Sequence, residues 1–310
     1  MFFLNILMQY DKNILILLII IHCSHLIYSQ DTFSIIAVDT ISGKIGSAGA
    51  SCVQNSIIIS DMHPGIGAIH TQSYWNEANQ DSAGYLMEQG FAPNEIISWL
   101  LENDSENNPT IRQYGVVDIL NSGRSAAYTG EDCFDYKNHI IGETYSIQGN
   151  ILLGQEILDS MENAFLNTYG TFEEKLMSSL MSANIIGADT RCSPYGTPAI
   201  SAFIRISNPD DQYDSLYMDL NVGNAPLTIN PLDSLNILYW NWKEENYILG
   251  DINYDYIVNI ADVIILSDFL DGTQSIDQHE IAPADINMND EIELTDIFLL
   301  IFNIIGIVGL

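Results

Sequence analysis

The hydrophobic pattern of the chain alternates between the two-residue period of strands and the 3.6-residue period of helices. Thr32 to Val38 (TFSIIAV) predicts a strand, bounded by the turn signal Ser42-Gly43. Ile45 to Ser51 (IGSAGAS) predicts a second, whose small residues on one face let a backbone or a ligand come close. Ser56 to Ser60 and Gly65 to Thr71 predict further short strands. Asn76 to Gln89 and Asn94 to Glu102 predict helices, ended by polar residues or by Gly90. Arg112 to Leu120 and Arg124 to Thr129 predict a hairpin about Asn121-Ser122-Gly123. Gly154 to Tyr169 carries Ile157, Leu158, Met161 and Phe165 at helical spacing, and Phe172 to Ile186 predicts a second amphipathic helix. Ala199 to Ile206 and Leu216 to Val222 return to strand. Strands in blocks with paired helices between them predict an α+β layered domain rather than a doubly wound parallel sheet. The aromatic segment from Asn236 to Trp242 predicts a packed closing helix, after which the charged stretch Lys243 to Asn246 leads into a tail of different composition.

The start of the chain has its own pattern. Ile14 to Ile21 is an unbroken run of Ile and Leu, preceded by Lys12 and followed by a more polar stretch ending at Ser29-Gln30. A basic flank, a short apolar run and a small residue at the cut form a secretory signal, here with Ser29 as the cleavage residue. The run is shorter than the ~20 residues a bilayer span needs. Met8 offers an alternative start, and Cys23 a lipoprotein alternative, although His22 stands where a small residue is expected. The mature chain is therefore expected outside the cytoplasm, secreted or periplasmic, in an oxidising compartment. Cys52, Cys133 and Cys192 remain after cleavage, which allows at most one intramolecular disulfide and leaves its pairing open.

Charge changes the picture of the tail. The chain carries 41 acidic and 9 basic residues, a net charge of −32. Such a chain repels phosphate backbones and anionic lipid surfaces, which excludes general nucleic-acid binding and a polybasic membrane patch. Fourteen of the acids and one base lie in residues 243–310. Asp251, Asn253, Asp255, Asn259 and Asp262 place oxygen side chains at positions 1, 3, 5, 9 and 12 of a loop, with the Ile257 carbonyl at position 7. The spacing recurs 34 residues later at Asp285, Asn287, Asn289, Glu293 and Asp296, with the Glu291 carbonyl at position 7. Hard oxygen ligands at these offsets wrap one Ca²⁺ each, so two calcium sites are expected. Apolar helices are predicted after each loop, Val263 to Leu270 and Ile297 to Ile305. The segment resembles the dockerin type I module, which implies a small all-α, EF-hand-like unit that docks onto a cohesin-like or cell-surface partner. It departs from that family at position 6, where glycine supplies a positive φ and this chain has Tyr256 and Asp290. The usual polar recognition pair is replaced by Ile260-Ala261 and Leu294-Thr295. The final apolar stretch, Ile297 to Leu310, is too short for a stable membrane span.

The main domain lacks G-x-S-x-G, H-E-x-x-H, P-loop and C-x-x-C signatures, and Gly65-Ile66-Gly67 lacks the third glycine of a dinucleotide fingerprint. The segments Thr32 to Asp39 (TFSIIAVD), Gly46 to Ser51 (GSAGAS), Gly67 to Gln72 (GAIHTQ), Tyr114 to Asp118 (YGVVD), Ala127 to Glu131 (AYTGE), Tyr145 to Asn150 (YSIQGN) and Gly187 to Arg191 (GADTR) occur in one order. Together, over residues 31–242, they resemble the bacterial family called domain of unknown function 1028, assigned to the Ntn-hydrolase superfamily. The resemblance implies an αββα four-layer sandwich. It also implies a nucleophile that becomes the first residue and uses its own α-amine as general base. By the motif match that residue is Thr32. A cut after Ser29 leaves Gln30-Asp31 before it, and these must be removed for the amine to be free. Asn150 is a candidate oxyanion donor, or else a cap for the following helix. His63, Gln72, Gln148, Asp189 and Arg191 are candidate substrate-binding residues. His63 fits a surface turn equally well, and Asp189 with Arg191 is either a clamp for a substrate carboxylate or an internal ion pair. The chain thus divides into an export signal (1–30), the Ntn-hydrolase-like domain (31–242) and the dockerin-like module (243–310). Two functions compete: a secreted hydrolase of an amide bond in a peptide or cell-wall fragment, or a non-catalytic ligand-binding domain with a calcium-dependent anchoring tail.

Overall fold

The structure, a computed structural model, describes residues 29–30, 32–276, 280–307 and 309. The expected export signal lies outside these residues except for Ser29 and Gln30. The strands are β1 (Ser29–Gln30), β2 (Thr32–Val38), β3 (Ile45–Ser51), β4 (Ser60–His63), β5 (Gly67–Tyr74), β6 (Arg112–Asp118), β7 (Arg124–Thr129), β8 (Asn138–Ile141), β9 (Tyr145–Gly149), β10 (Ser201–Ser207) and β11 (Met218–Val222). The helices are α1 (Glu77–Glu88), α2 (Pro93–Glu102), α3 (Gln155–Asn167), α4 (Phe172–Ser182), α5 (Pro231–Glu245), α6 (Ile260–Leu270), α7 (Ile281–Ala284) and α8 (Leu294–Ile304). The chain is a mixed α+β protein built on two antiparallel sheets, as the block order of strands and helices predicts. One sheet runs β1-β5-β6-β7 with β4 also on β5, and the other runs β11-β10-β3-β2-β9-β8.

Strand alternation decides what each sheet face meets. On β2, Phe33, Ile35 and Ala37 join the core beneath α3 and α4, while Ile36 and Val38 turn to the other sheet. The small residues of β3 serve the same division. A Cβ on Gly46 would stand 2.1 Å from Leu176 Cδ1 and 2.8 Å from Phe172 Cε1, so the absence of a side chain lets α4 lie close. Helices α1 and α2 pack on β5, β6 and β7, and β2 contacts β5 and β6 across the interface between the sheets. Among the described residues, Ile36, Val38, Ile45, Met62, Ala68 and Val117 form an apolar cluster between the sheets. Phe203 packs its ring against His70 beside Gly49, and much of the rest of that interface is polar.

Three local readings differ from the sequence expectation. Ser56–Ile59 is a 3-10 turn, not a strand, because Asn55 enters it in the left-handed conformation (φ 56°) and the pairing with β5 begins only at Ser60. The four-residue edge strand β8 carries too few alternating positions to stand out. Helices α6 and α8 begin three residues earlier than expected, at Ile260 and Leu294, because the residues at loop positions 9 and 12 form a capping box in each copy. The predicted hairpin closes through a 3-10 turn at Leu120–Ser122, with Asp118 paired to Arg124. The closing aromatic helix is α5, which buries Leu232, Leu235 and Tyr239. Cys52 and Cys192 form the disulfide, with Cα atoms 5.7 Å apart. Cys133 is buried and its thiol donates to the Arg112 carbonyl at 3.3 Å.

The tail has its own apolar cluster, centred on Ile252, Val263, Leu266, Ala284, Ile286 and Leu300. Its two acidic loops share a set of backbone-to-carboxylate hydrogen bonds. The amides of Asp255 and Tyr256 donate to Asp251, and those of Asn289 and Asp290 donate to Asp285, at 2.7–3.0 Å. Asp262 accepts from Asn253 and Asn259, and Asp296 from Asn287 and Glu293. Positions 4 and 6 have positive φ in both copies: Tyr254, Tyr256, Met288 and Asp290. Tyr256 stays in that conformation because its side chain is anchored elsewhere. Its hydroxyl bonds Tyr217 at 2.8 Å, and the Lys44 ammonium lies over both rings, 4.4 Å from Tyr217 and 4.6 Å from Tyr256. Lys44 also pairs with buried Glu173. One turn away, Lys243 lies 4.4 Å over the Tyr254 ring and 2.5 Å from Glu174. The first loop is thus bolted to the front domain by two lysine–tyrosine contacts.

This trade makes a prediction. Tyr256→Gly removes about 1–2 kcal/mol of left-handed strain but loses a cation–π contact, a hydrogen bond and the ring's burial. The net expectation is a loss of about 1–3 kcal/mol in the denaturation of the full chain, with Tyr256→Phe losing about 1 kcal/mol or less. A Tyr256→Gly chain as stable as the parent would contradict the anchoring role.

Candidate functional site

The inner faces of the two sheets bury a hydrogen-bonded cluster at the end where β2 begins. Strand alternation places Thr32 and Ser34 of β2, Ser47 of β3, and Ser146 and Gln148 of β9 on one inner face, opposite His70 and Gln72 of β5 and Gln113 of β6; each is at most 1% exposed. Ser34 Oγ donates to Gln72 Oε1 at 2.7 Å. Gln148 Nε2 donates to Ser34 Oγ (2.8 Å) and to His70 Nδ1 (3.0 Å), while Gln148 Oε1 accepts from Ser146 (2.6 Å). Gln72 Nε2 donates to Gln113 Oε1 (2.7 Å), and Gln113 Nε2 donates to the Gly149 carbonyl (2.9 Å). The Gln148 amide reaches the opposite sheet because Gly115 faces it; a Cβ there would stand 2.2 Å from Gln148 Oε1.

The bonds around His70 close with Nε2–H donating to Ser47 Oγ (2.6 Å), Ser47 donating onward to Ser60 (2.8 Å), and Nδ1 accepting. That arrangement needs a neutral ring. Burial, helped by the Arg205 charge, pulls the His70 pKa down to about 3.

Thr32 sits at the edge of this network. Its backbone N–H donates to Asn150 Oδ1 at 3.2 Å, and the Asn150 N–H returns a bond to the Thr32 carbonyl at 3.1 Å. Gln72 Nε2 reaches the same carbonyl at 3.4 Å. Asn150 therefore braces Thr32 and does not cap α3, whose N-cap is Gly154. Thr32 Oγ1 and Asn150 Nδ2 are among the nine buried side-chain atoms of the described residues that have no hydrogen-bond partner, and they lie side by side at the end of this network. Across β3, Thr32 pairs with Ser51. The next residue, Cys52, donates its N–H to Asp189 Oδ2 at 2.9 Å. Asp189 is fully buried and takes Arg191 bidentately, Nη2 at 2.6 Å and Nε at 3.0 Å, so it is an internal clamp on the rim of the Thr32 site.

The structure thus brings together Thr32, Gln72, Gln148 and Asn150, with Asp189 and Arg191 beside them. It places His63 apart. That ring lies on β4 opposite Gly67, at the other end of β5 from Gln72, between Asp61 (3.0 Å) and Glu88 (3.3 Å). Burial pulls its pKa down, but the hydrogen bonds and charges of Asp61 and Glu88 outweigh burial and hold it above its ordinary value. The members not singled out by sequence are Ser34, Ser47, Gln113, Ser146 and His70. For Ser34 and Ser146 the signal is a polar residue at alternate places of an otherwise apolar strand; His70, in a polar run of four, and Gln113 carry no such pattern.

Among the described residues, no group of three or more His, Cys, Asp or Glu side chains is arranged to hold a metal, and no helix is long and apolar enough to cross a membrane. In the tail, burial raises the Asp251 pKa to about 6, and Asp262 and Asp255 add to the rise against two backbone hydrogen bonds. Asn287 Oδ1 is buried with no hydrogen-bond partner.

The two histidines should titrate in opposite senses. Between pH 6.5 and about 3 the unfolded chain binds a proton at His70 that the folded chain refuses, so this group makes stability fall as pH falls, by about 1.4 kcal/mol per unit. His63 acts oppositely: its stabilisation is complete below pH 6.5 and is lost as pH rises through its elevated folded pKa. Proton NMR should show the His70 ring unmoved from pH 8 to 5 while His63 titrates above 6.5. A His70 resonance titrating near 6.5 would refute the neutral, closed network.

Comparison with known proteins gives the chain a family. The model of the family of unknown function DUF1028 matches residues 32–232. Among solved structures, protein SPO2555 from Silicibacter pomeroyi, carrying the same family model, is similar with a TM-score of 0.58 and 23% sequence identity, over 72% of this chain and 94% of that one. That likeness establishes a shared fold. No curated protein matches the chain. The match spans well over half of the residues, and the chain belongs to the DUF1028 family.

Proposed function

We propose that the front domain is an N-terminal-nucleophile amide hydrolase with Thr32 as the nucleophile. The observation that carries this reading is the pair of unpartnered buried atoms, Thr32 Oγ1 and Asn150 Nδ2, at the end of an otherwise closed network. Buried polar groups are nearly always satisfied, and an exception needs a cause. A substrate carbonyl placed there would meet a hydroxyl to attack it and an amide to hold its oxygen. The layering of helix pair, sheet, sheet and helix pair, and a family match that opens at Thr32, support the αββα reading.

In this mechanism the freed Thr32 α-amine, with a pKa near 8, takes the hydroxyl proton as Oγ1 attacks the carbonyl carbon. Asn150 Nδ2 donates to the oxyanion. The amine passes the proton to the leaving nitrogen, and water then hydrolyses the ester to restore the hydroxyl. Gln72 and Asn150 fix the Thr32 backbone, and the Asp189–Arg191 clamp shapes the rim. The amine is free only after the residues up to Asp31 are removed.

The tail is proposed as a dockerin-like, EF-hand-like calcium module on a secreted protein. The unpartnered Asn287 Oδ1 and the raised Asp251 pKa fit a cation held by oxygen ligands. The residues that would hold it are Asp251, Asn253, Asp255, Asn259, Asp262 and the Ile257 carbonyl in one loop, and Asp285, Asn287, Asn289, Glu293, Asp296 and the Glu291 carbonyl in the other. The Cys52–Cys192 disulfide supports export. The module is proposed to attach the protein to a cohesin-like or cell-surface partner.

N-terminal sequencing of the exported protein should read Thr32 first. Thr32→Ala should lower amide hydrolysis by about three orders of magnitude, and Thr32→Ser should keep measurable activity. A mature chain that begins at Gln30 or Asp31 would remove the mechanism and leave the ligand-binding alternative. Calorimetry should find two Ca²⁺ sites, one lost in Asp251→Ala and the other in Asp285→Ala; no heat at millimolar calcium would remove the cation reading.

A further inference from the structure

We infer that the acyl side of the substrate is an extended peptide that adds to the edge of β5 in the place held by β1; this rests on Thr32 being the nucleophile. Strands β1 and β2 are almost consecutive yet belong to different sheets. β1 pairs with β5, Ser29 opposite Tyr74 and Gln30 opposite Ser73, while β2 lies in the facing sheet between β3 and β9. The chain therefore crosses from one sheet to the other immediately before Thr32. Whatever is joined to the Thr32 nitrogen on its acyl side runs along β5.

The edge it covers is otherwise open. β6 occupies one edge of β5 from Gly67 to Ser73, but on the other edge β4 reaches only from Gly67 to His70. Removing the residues before Thr32 uncovers the strip at Ser73 and Tyr74. An unpaired strand edge is a template for another extended chain. The strip is held rigidly, because the buried Arg112 guanidinium donates to the Tyr74 carbonyl at 2.5 Å and pairs with Asp104 at 2.8 Å. A peptide whose scissile carbonyl reaches Thr32 Oγ1 carries its two preceding residues where Gln30 and Ser29 now lie.

The same end of the sheets has a cavity of about 520 Å³ lined by Cys52, Val53, Ile58, Trp75 and Ile200, among others. Its walls start one step from the pairing residues: Cys52 follows Ser51, the partner of Thr32, and Trp75 follows Tyr74, the partner of Ser29. Walls that are mainly apolar and include an indole, with the amides of Gln54 and Asn55 beside them, assign it to a bulky apolar side chain near the scissile amide. The substrate class is thus a peptide of at least three residues on the acyl side with a large apolar group among them.

The test uses the full-length tail with Thr32 generated as the first residue by cleavage of a fusion immediately before it. A small β-lactone, followed by intact mass and peptide mapping, reports whether Thr32 is nucleophilic. Fluorogenic amides then report the acyl side: an N-acetyl single residue, an N-acetyl tripeptide with leucine, phenylalanine or alanine side chains, and the leucine tripeptide N-methylated at either of its two residues distal to the scissile bond. Antiparallel pairs alternate between bonded and non-bonded, so one N-methyl position should lower kcat/KM about tenfold and the other should not. The tripeptide should exceed the single residue about tenfold or more, and Trp75→Ala should reduce that advantage for phenylalanine more than for alanine. If the lactone acylates Thr32 but the single residue is cleaved as well as the tripeptide and neither N-methyl group matters, the strand-addition inference is overturned while the nucleophile stands. If the lactone leaves Thr32 unmodified and no amide is cleaved, the nucleophile itself is refuted, and the inference with it.

Discussion

Two sheets laid face to face ordinarily bury apolar side chains, and here half of that interface buries serines, glutamines and a histidine. Each buried polar atom must find a partner inside the protein, because none can reach water. That requirement orders the rest. It sets the register of β2 against β3 and β9, since Ser34, Ser47 and Gln148 must all meet His70 or its neighbours. It demands glycine at Gly115, so that an amide can cross between sheets. It keeps His70 neutral. The larger apolar clusters lie on the outer faces, under the helices, and only a small one lies between the sheets.

Much of this could be read from the residues. The strands of the front domain and its paired helices announce themselves by period, and Thr32, Gln72, Gln148 and Asn150 lie together as their positions at strand ends suggest. The reading stops where the signal is not local. Nothing in the neighbourhood of His63 says that Asp61 and Glu88 close on it from a strand and a helix, 27 residues apart in sequence at the extremes. Asp189 and Arg191 read equally as a carboxylate clamp or an internal ion pair until Asp189 is seen to accept from both Arg191 Nε and Nη2. The choice of Cys52 and Cys192 as the disulfide pair depends on a contact spanning 140 residues. Such facts belong to tertiary packing.

The tail shows the opposite case, in which a local departure has a distant cause. By loop rules Tyr256 is in the wrong place, since position 6 asks for glycine. The second loop has Asp290 there, a residue that tolerates the left-handed region better. Tyr256 is explained only by Tyr217, Lys44 and Glu173 on the other side of the seam. The duplicated loops are alike in backbone and differ in what their side chains touch: one faces the front domain and the other does not.

That asymmetry governs how force would pass through the molecule. Lys44 belongs to the turn of the β2–β3 hairpin, and Lys243 to the last turn of α5. A pull on the tail is borne at those two points in parallel and not by the covalent connection alone. The first of them feeds directly into the strand that starts at Thr32. The tail is consequently less a pendant on a flexible tether than a lever whose fulcrum is the hairpin, and tension at one end of β2 is delivered along its hydrogen-bond ladder to the other.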